Sequence, residues 1–260
     1  MIAILLVCFR EADTGLAINF FSRYKNYKKV AILNNASLYQ SEAINFSGWQ
    51  IVNGSNKNNE FSGWQEGLES IKEQPLKGVV FANDTIIAHH SLPVITIQSA
   101  AIKMSIFLFR DFYPLLVGKI GKFNNGSVNN LNHILIEKWV STHFFYMNLK
   151  LLKRLDFIIN NSSITENYVC KGFSSNFFFS KDVSNDLANH IDKWLFRDGW
   201  YNSQRLSASN FKFFRSKAIA ILNEKVLSGI CIMKGAKLID SDLIGIARIV
   251  RYILRLYKRK

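Results

Sequence analysis

At 260 residues, with 48% hydrophobic and 20% charged side chains, the chain is long enough to bury a large core and too apolar to be disordered. Its formal net charge of +14 favours an anionic partner (phosphates, nucleic acid or an acidic membrane) without choosing among them. Three cysteines, Cys8, Cys170 and Cys231, show no paired spacing, which argues against a disulfide framework or zinc site and for a reducing compartment.

The first element is the unbroken apolar run from Ile2 to Phe9, ending on Arg10-Glu11. It is too short for a signal peptide or a spanning helix and reads as a strand buried on both faces. No run of 18 or more apolar residues occurs, so the chain is expected not to cross a membrane. Thr14 is placed to cap a helix carrying Leu16, Ile18, Phe20 and Phe21. Lys29 to Leu33 reads as a second strand, ending on Asn34-Asn35-Ala36-Ser37, and Gly48 to Val52 as a third. A polar Asn- and Gly-rich loop then leads into an amphipathic helix over Phe61 to Ile71. A fourth strand, Gly78 to Ala82, stops on Asn83-Asp84-Thr85. Such alternation implies a doubly wound sheet with right-handed crossovers. Ligands of open α/β sheets bind outside the carboxyl ends of the strands, so an amide and a carboxylate there point to an enzyme of nucleotide-linked substrates.

In the second half, Val140 to Asn148 reads as a strand and Leu149 to Leu155 as a helix. Asn160 to Ser180 looks like loop; Asp182 to Phe196 and Ala208 to Leu222 have helical periodicity, with Val226 to Met233 in another helix. The expected organisation is one domain over 1–240, with a nucleotide half over about 1–125 and an acceptor half over about 126–240. A basic amphipathic helix over 241–260 follows. Residues 246–260 hold six basic residues and no acidic one. Arg248, Arg251, Arg255 and Arg259 share one helical face, with Ile249, Ile253 and Tyr257 opposite. That division suits an anionic membrane interface, at roughly 1 kcal/mol per basic residue near the surface. A terminal helix docked on the domain with a solvated tail fits the same residues.

Four features in order carry a resemblance: the apolar first strand, Asn34-Asn35-Ala36-Ser37, Asn58-Asn59-Glu60-Phe61-Ser62-Gly63-Trp64, and Val79-Val80-Phe81-Ala82-Asn83-Asp84-Thr85. Over about residues 1–90 the chain resembles the nucleotide-binding half of GT-A glycosyltransferases. The likeness is to family-2-type and rhamnan-synthesis-type enzymes of bacterial surface polysaccharides such as O-antigen and capsule. Fainter echoes are Thr142-His143-Phe144-Phe145-Tyr146 and Asn223-Glu224-Lys225-Val226-Leu227-Ser228. The resemblance implies an α/β GT-A (Rossmann-like) fold: a mixed, mostly parallel sheet flanked by helices, more helical in its C-terminal half. It implies an inverting hexosyl- or deoxyhexosyltransferase with a nucleotide-sugar donor and a saccharide or lipid-linked saccharide acceptor. The place of work is then cytoplasmic, peripheral on the inner face of the membrane, reached through 246–260.

On that resemblance Asn34, Asn35, Ser37, Glu60, Asn83 and Asp84 bind the nucleotide sugar, and Asp84 is the candidate ligand of a divalent cation, Mg or Mn. Glu224 is the candidate general base, with Asp198 as second choice, and His89 and His143 face acceptor or phosphate. Each has a plainer reading: Asx turns at Asn34, Asn35 and Asp84, a helix-start carboxylate at Glu60 or Glu224, a core imidazole at His143. A D-x-D pattern would place carboxylates where Asn83 and Thr85 stand, so lysine or arginine can neutralise the diphosphate in place of a metal. The P-loop, G-x-G-x-x-G and G-x-S-x-G signatures are missing from the sequence. The competing readings are a GT-A-like protein with lapsed catalysis and a basic nucleic-acid-binding protein. Nucleic acid is not the expected partner, because most aromatics lie inside apolar runs.

Overall fold

The computed structural model describes residues 1–35, 37–38, 44–109, 112–123, 129–131, 133–173, 178–197 and 205–242, with backbone alone at Ala88, His89 and Arg197. Asp198 and the basic segment 246–260 therefore lie outside the described residues.

Strand β1 (Ile2–Cys8) leads through α1 (Glu11–Ser22) to β2 (Lys28–Leu33) and on to β3 (Gln50–Asn53). Helix α2 (Glu60–Glu69) brings the chain back to β4 (Gly78–Asn83). Then come α3 (Ile86–His89), α4 (Leu92–Phe109), β5 (Leu115–Lys122), the hairpin of β6 (Asn129–Leu131) and β7 (Ile134–Ile136), and the long β8 (Lys138–Asn148). Helices α5 (Leu149–Arg154), α6 (Ser162–Thr165) and α7 (Asn185–Asp192) follow, α7 running into a π-helical turn over Lys193–Arg197. Last among the described residues are α8 (Phe211–Met233) and β9 (Lys237–Asp240).

The strands form one seven-stranded sheet in the order β3-β2-β1-β4-β8-β5-β9. All neighbours pair in parallel except β8, which is antiparallel to both β4 and β5. The expected mixed, mostly parallel sheet with flanking helices is the one observed. The chain winds outward from β1 to β3 and then crosses back to place β4 on the other side of β1. The point where the winding reverses therefore lies between the carboxyl ends of β1 and β4, the crevice that open α/β sheets offer to ligands.

Unbroken apolarity in β1 follows from its central place. Ile4, Leu6 and Cys8 point into a layer closed by α1 and α4, whereas Ala3, Leu5 and Val7 point into a layer closed by α2 and α5. Cys8 and Cys231 are buried as small apolar groups. Trp64 anchors the second layer: fully buried, it packs edge-on against Phe61 and Phe145, and its indole N–H donates to the Ala82 carbonyl at 2.9 Å. Gly63 and Gly67, one turn apart, let α2 lie against the sheet, since a Cβ at Gly63 would sit 2.9 Å from Val7 and one at Gly67 2.8 Å from Ile32. A third cluster joins the β6–β7 hairpin, α7 and the amino half of α8.

Three expectations are corrected. Thr14 is not a cap; it is buried inside α1, which starts at Glu11, and its hydroxyl bonds Asp84. The two separate helices over 208–233 are one, α8, because Asn223 and Glu224 bond sideways to Asn161 and Thr142, and Lys225 packs sideways on Trp139, from a continuous helix instead of ending it. The polar stretch over 160–180 contains α6 and a 3-10 turn at Glu166–Tyr168. Helix α4 has no counterpart in the sequence reading. By length and composition, with a hydropathy of 1.6, it is able to cross a membrane, which is weak evidence for a single helix. Ile95, Ile102 and Phe109 pack it onto the sheet, and its Ser99 hydroxyl bonds Tyr24 of the α1–β2 connection.

Candidate active site

A cavity of about 700 Å³ opens at the reversal point. Phe9 and Arg10, just past β1, and Asn83 and Thr85, at the end of β4, form one wall. The amino half of β8 supplies Trp139, Thr142 and His143, and α8 supplies Lys217, Glu224 and Lys225. Glu60, the first residue of α2, and Lys119 of β5 complete the charged lining. Among the described residues, four cations (Arg10, Lys119, Lys217, Lys225) thus face two carboxylates (Glu60, Glu224), and an anionic ligand is favoured.

Glu224 is held in place. Its Oε2 accepts the Thr142 N–H at 2.8 Å and the Thr142 hydroxyl at 3.0 Å, and its Oε1 lies 3.5 Å from the Lys225 ammonium. Lys225 is 2% exposed, with its Nζ 3.6 Å from the centre of the Trp139 ring. Burial pulls its pKa down to about 8, and Glu224 opposes the fall without cancelling it. On the same Trp139 stands His190, ring to ring at 5.1 Å, whose pKa falls to about 4 through burial and then the Lys225 charge. His190 is therefore neutral at physiological pH and adds no charge to the cavity.

Glu60 reaches the cavity through a pinned loop. Asn59, at φ 52°, occupies left-handed backbone space; its side chain donates to the Ser216 hydroxyl at 2.8 Å and accepts from Lys217 at 3.3 Å. Burial raises the Glu60 carboxyl above its usual pKa, with Lys217 the chief opposing charge. At the end of β4, Thr85 donates its hydroxyl to Asn83 Oδ1 at 2.8 Å. His143 stacks on His90 with ring centres 4.3 Å apart.

Of the residues expected at the site, Glu60, Asn83, His143 and Glu224 line this cavity. Two others are framework groups. Asp84 is fully buried, and its Oδ2 accepts from Phe9 N at 2.6 Å, Arg10 N at 2.8 Å and Thr14 Oγ1 at 2.9 Å. Desolvation raises its pKa, and these three hydrogen bonds draw it back. Asn34 donates to the Asn59 carbonyl at 2.9 Å and to Asn56 at 3.4 Å, and a Cβ at Gly54 would overlap its Oδ1. It therefore fixes the loop that delivers Glu60. Asn35 makes an exposed Asx turn, accepting from Ser37 N at 3.1 Å and Ser37 Oγ at 2.8 Å, and its amide reaches the Phe9 carbonyl at 3.2 Å. His89 ends α3, its side chain outside the described part, as is Asp198.

Among the described residues the donor set for a divalent cation is thin, although Asp84 keeps its Oδ1 buried without a hydrogen-bond partner. Asp84 turns its bonded oxygen toward the β1–α1 backbone, and no group of three or more His, Cys, Asp or Glu side chains among the described residues is arranged to hold a metal. The cations Arg10, Lys119, Lys217 and Lys225 were missed by residue-level reading. Lys225 carried one signal, its adjacency to Glu224, and Arg10 another, its place at the end of the first strand; Lys119 and Lys217 have nothing in the local sequence that marks them out among 33 basic residues.

No family model matches the chain, and no curated protein matches it. Among solved structures it is similar to 4-diphosphocytidyl-2C-methyl-D-erythritol synthase from Anaerococcus prevotii DSM 20548, at 11% identity and a TM-score of 0.38, over 84% of this chain and 95% of that one. A likeness so slight carries nothing for activity, which has to be read from the cavity itself.

Proposed function

We propose that the chain is a glycosyltransferase that moves a sugar from a nucleotide-diphosphate sugar to a saccharide or lipid-linked saccharide acceptor. The observation that carries this reading is the placement of a net-cationic cavity at the winding reversal between β1 and β4, with a fixed carboxylate, Glu224, across it. The donor diphosphate lies among Arg10, Lys119 and Lys217, whose charges offset the one that develops as the glycosidic C–O bond breaks. Glu224 takes the proton of the acceptor hydroxyl as its oxygen bonds the anomeric carbon, giving inversion. Thr142 orients that carboxylate through Oε2 and leaves Oε1 toward Lys225 and the cavity. Asn83 and Glu60 belong to the donor side of the same space.

Synthesis of O-antigen- or capsule-type polysaccharide at the cytoplasmic membrane face is the setting proposed for this activity. A second reading, a GT-A-like binding protein without catalysis, is favoured by one observation, the inward-turned Asp84. A thermal-shift screen of nucleotide-diphosphate sugars with and without Mg²⁺ or Mn²⁺ tests the donor class. At 100-fold excess over Kd, binding stabilises by about 2.7 kcal/mol, a rise of roughly 5–10 °C for a chain this size. A rise that does not depend on metal is expected. If no nucleotide sugar shifts the transition, the donor assignment is wrong; if one does and no product forms with any glycan acceptor, the second reading holds.

A further inference from the structure

The pole of the sheet opposite the cavity, where β1, β2, β4, β5 and β9 begin, carries large apolar side chains in the open. Phe107 at the end of α4 is 83% exposed, Phe112 and Tyr113 in the connection to β5 are 69% and 51% exposed, and Met233 at the end of α8 is 63% exposed. Exposed apolar residues are ordinary, and others such as Leu16 and Leu92 occur elsewhere; what sets these four apart is the cations beside them.

These side chains are framed by cations. The Lys150 ammonium donates to the Phe112 carbonyl at 3.4 Å, and the Lys237 ammonium lies 5.2 Å from the centre of the Tyr113 ring. Arg154 donates to the carbonyl of Lys234, the neighbour of Met233, at 2.6 Å. Lys103 stands one turn before Phe107 on the exposed side of α4, its Nζ 4.4 Å from the Tyr24 ring. Lys153, exposed on α5, adds to the same rim.

We infer that this pole is a docking surface for an anionic lipid bilayer, with Phe107, Phe112, Tyr113 and Met233 entering the headgroup layer and the surrounding lysines meeting lipid phosphates. Aromatic rings settle at that depth, and basic side chains beside them add attraction to anionic lipid. The same charges would attract a nucleic acid, but base stacking needs free ring faces. Here Lys237 lies by the Tyr113 ring and Met233 has no ring, whereas a bilayer takes apolar groups in any orientation. The inference does not rest on the catalytic reading. It sets an orientation, with the cavity opening away from the membrane, so that of the two proposed acceptors it fits the saccharide that reaches the far pole and not the lipid-linked one held at the bilayer. It also assigns the contact to side chains of the folded domain, in addition to any contact made by residues 246–260.

Flotation of the full chain with vesicles of phosphatidylcholine, alone or doped with phosphatidylglycerol, tests it. Binding only to the doped vesicles, weakened by salt, is expected. Lys150→Gln with Lys153→Gln lowers partition about twenty-five-fold, two surface charges at about fivefold each, while circular dichroism and melting temperature stay unchanged. Phe107→Ser with Phe112→Ser abolishes flotation. Arg248→Gln with Arg251→Gln leaves the dependence on Phe107 and Phe112 intact. The inference is overturned if wild type ignores doped vesicles, or if both domain variants float as well as wild type. It is equally overturned if the 248/251 variant alone loses binding, or if the chain binds RNA through these residues and not vesicles.

Discussion

The Thr14 hydroxyl, inside α1, donates to Asp84 Oδ2 at 2.9 Å across 70 residues of chain. With the N–H groups of Phe9 and Arg10 on the same oxygen, one carboxylate ties the end of β4 to the turn that leaves β1. The two strand ends that border the cavity are thereby fixed to each other.

Asp84→Ala leaves two backbone N–H groups and a buried hydroxyl without their acceptor. The expected loss is about 2–4 kcal/mol of stability, since each hydrogen bond to a charged group is worth about 1.5–3 kcal/mol and some are replaced by water. Urea unfolding measures it. A metal ligand would behave differently: substitution would leave the apo stability unchanged and remove a metal response.

Glu224→Gln keeps the acceptor oxygen for Thr142 and removes the base. Transfer should fall by about 10²–10⁴, with the affinity for nucleotide-diphosphate sugar within a few-fold of wild type. Equal turnover by this variant would take Glu224 out of the reaction.

Lys225 gives a pH signature. Its folded pKa, about 8, is below the ordinary 10.5, so the folded state binds fewer protons than the unfolded chain between those values. Stability therefore rises with pH across that window, and the cost of the buried ammonium is fully present below pH 8. The span amounts to about 3 kcal/mol. Lys225→Met should be the more stable protein at neutral pH, and its stability should show a smaller rise through the window. Measured ΔG against pH for both proteins checks the sign.

Lys217→Met removes a cavity cation and its bond to Asn59. A loss of about 1.5–3 kcal/mol corresponds to weaker nucleoside-diphosphate binding by roughly tenfold to a hundredfold. A nucleoside without phosphates should bind both proteins alike, and calorimetry of the two ligands separates charge from fold.

Much of the frame was legible because parallel strands buried on both faces leave unbroken apolar runs, as in Ile2–Cys8 and Gly78–Asn83. The strand-end residues Asn34 and Asp84 were legible as special but not as to role. A short Asx side chain at a strand end serves a ligand or the neighbouring backbone equally well, and only the placement of Phe9, Arg10 and Asn59 decides. Helix α4 escaped notice because its apolar residues run almost all around it, leaving little 3.6-residue contrast. Lys225 escaped because burial beside Trp139 arises from the packing of α8 on β8, 86 residues apart in sequence from one to the other.

The most direct test of the central claim is calorimetric titration of a panel of nucleotide-diphosphate sugars into the wild-type chain and into Lys217→Met, without divalent metal. One donor is expected to bind wild type in the micromolar range and Lys217→Met at least about tenfold more weakly. Binding that is absent without metal, or that is indifferent to Lys217, would contradict it.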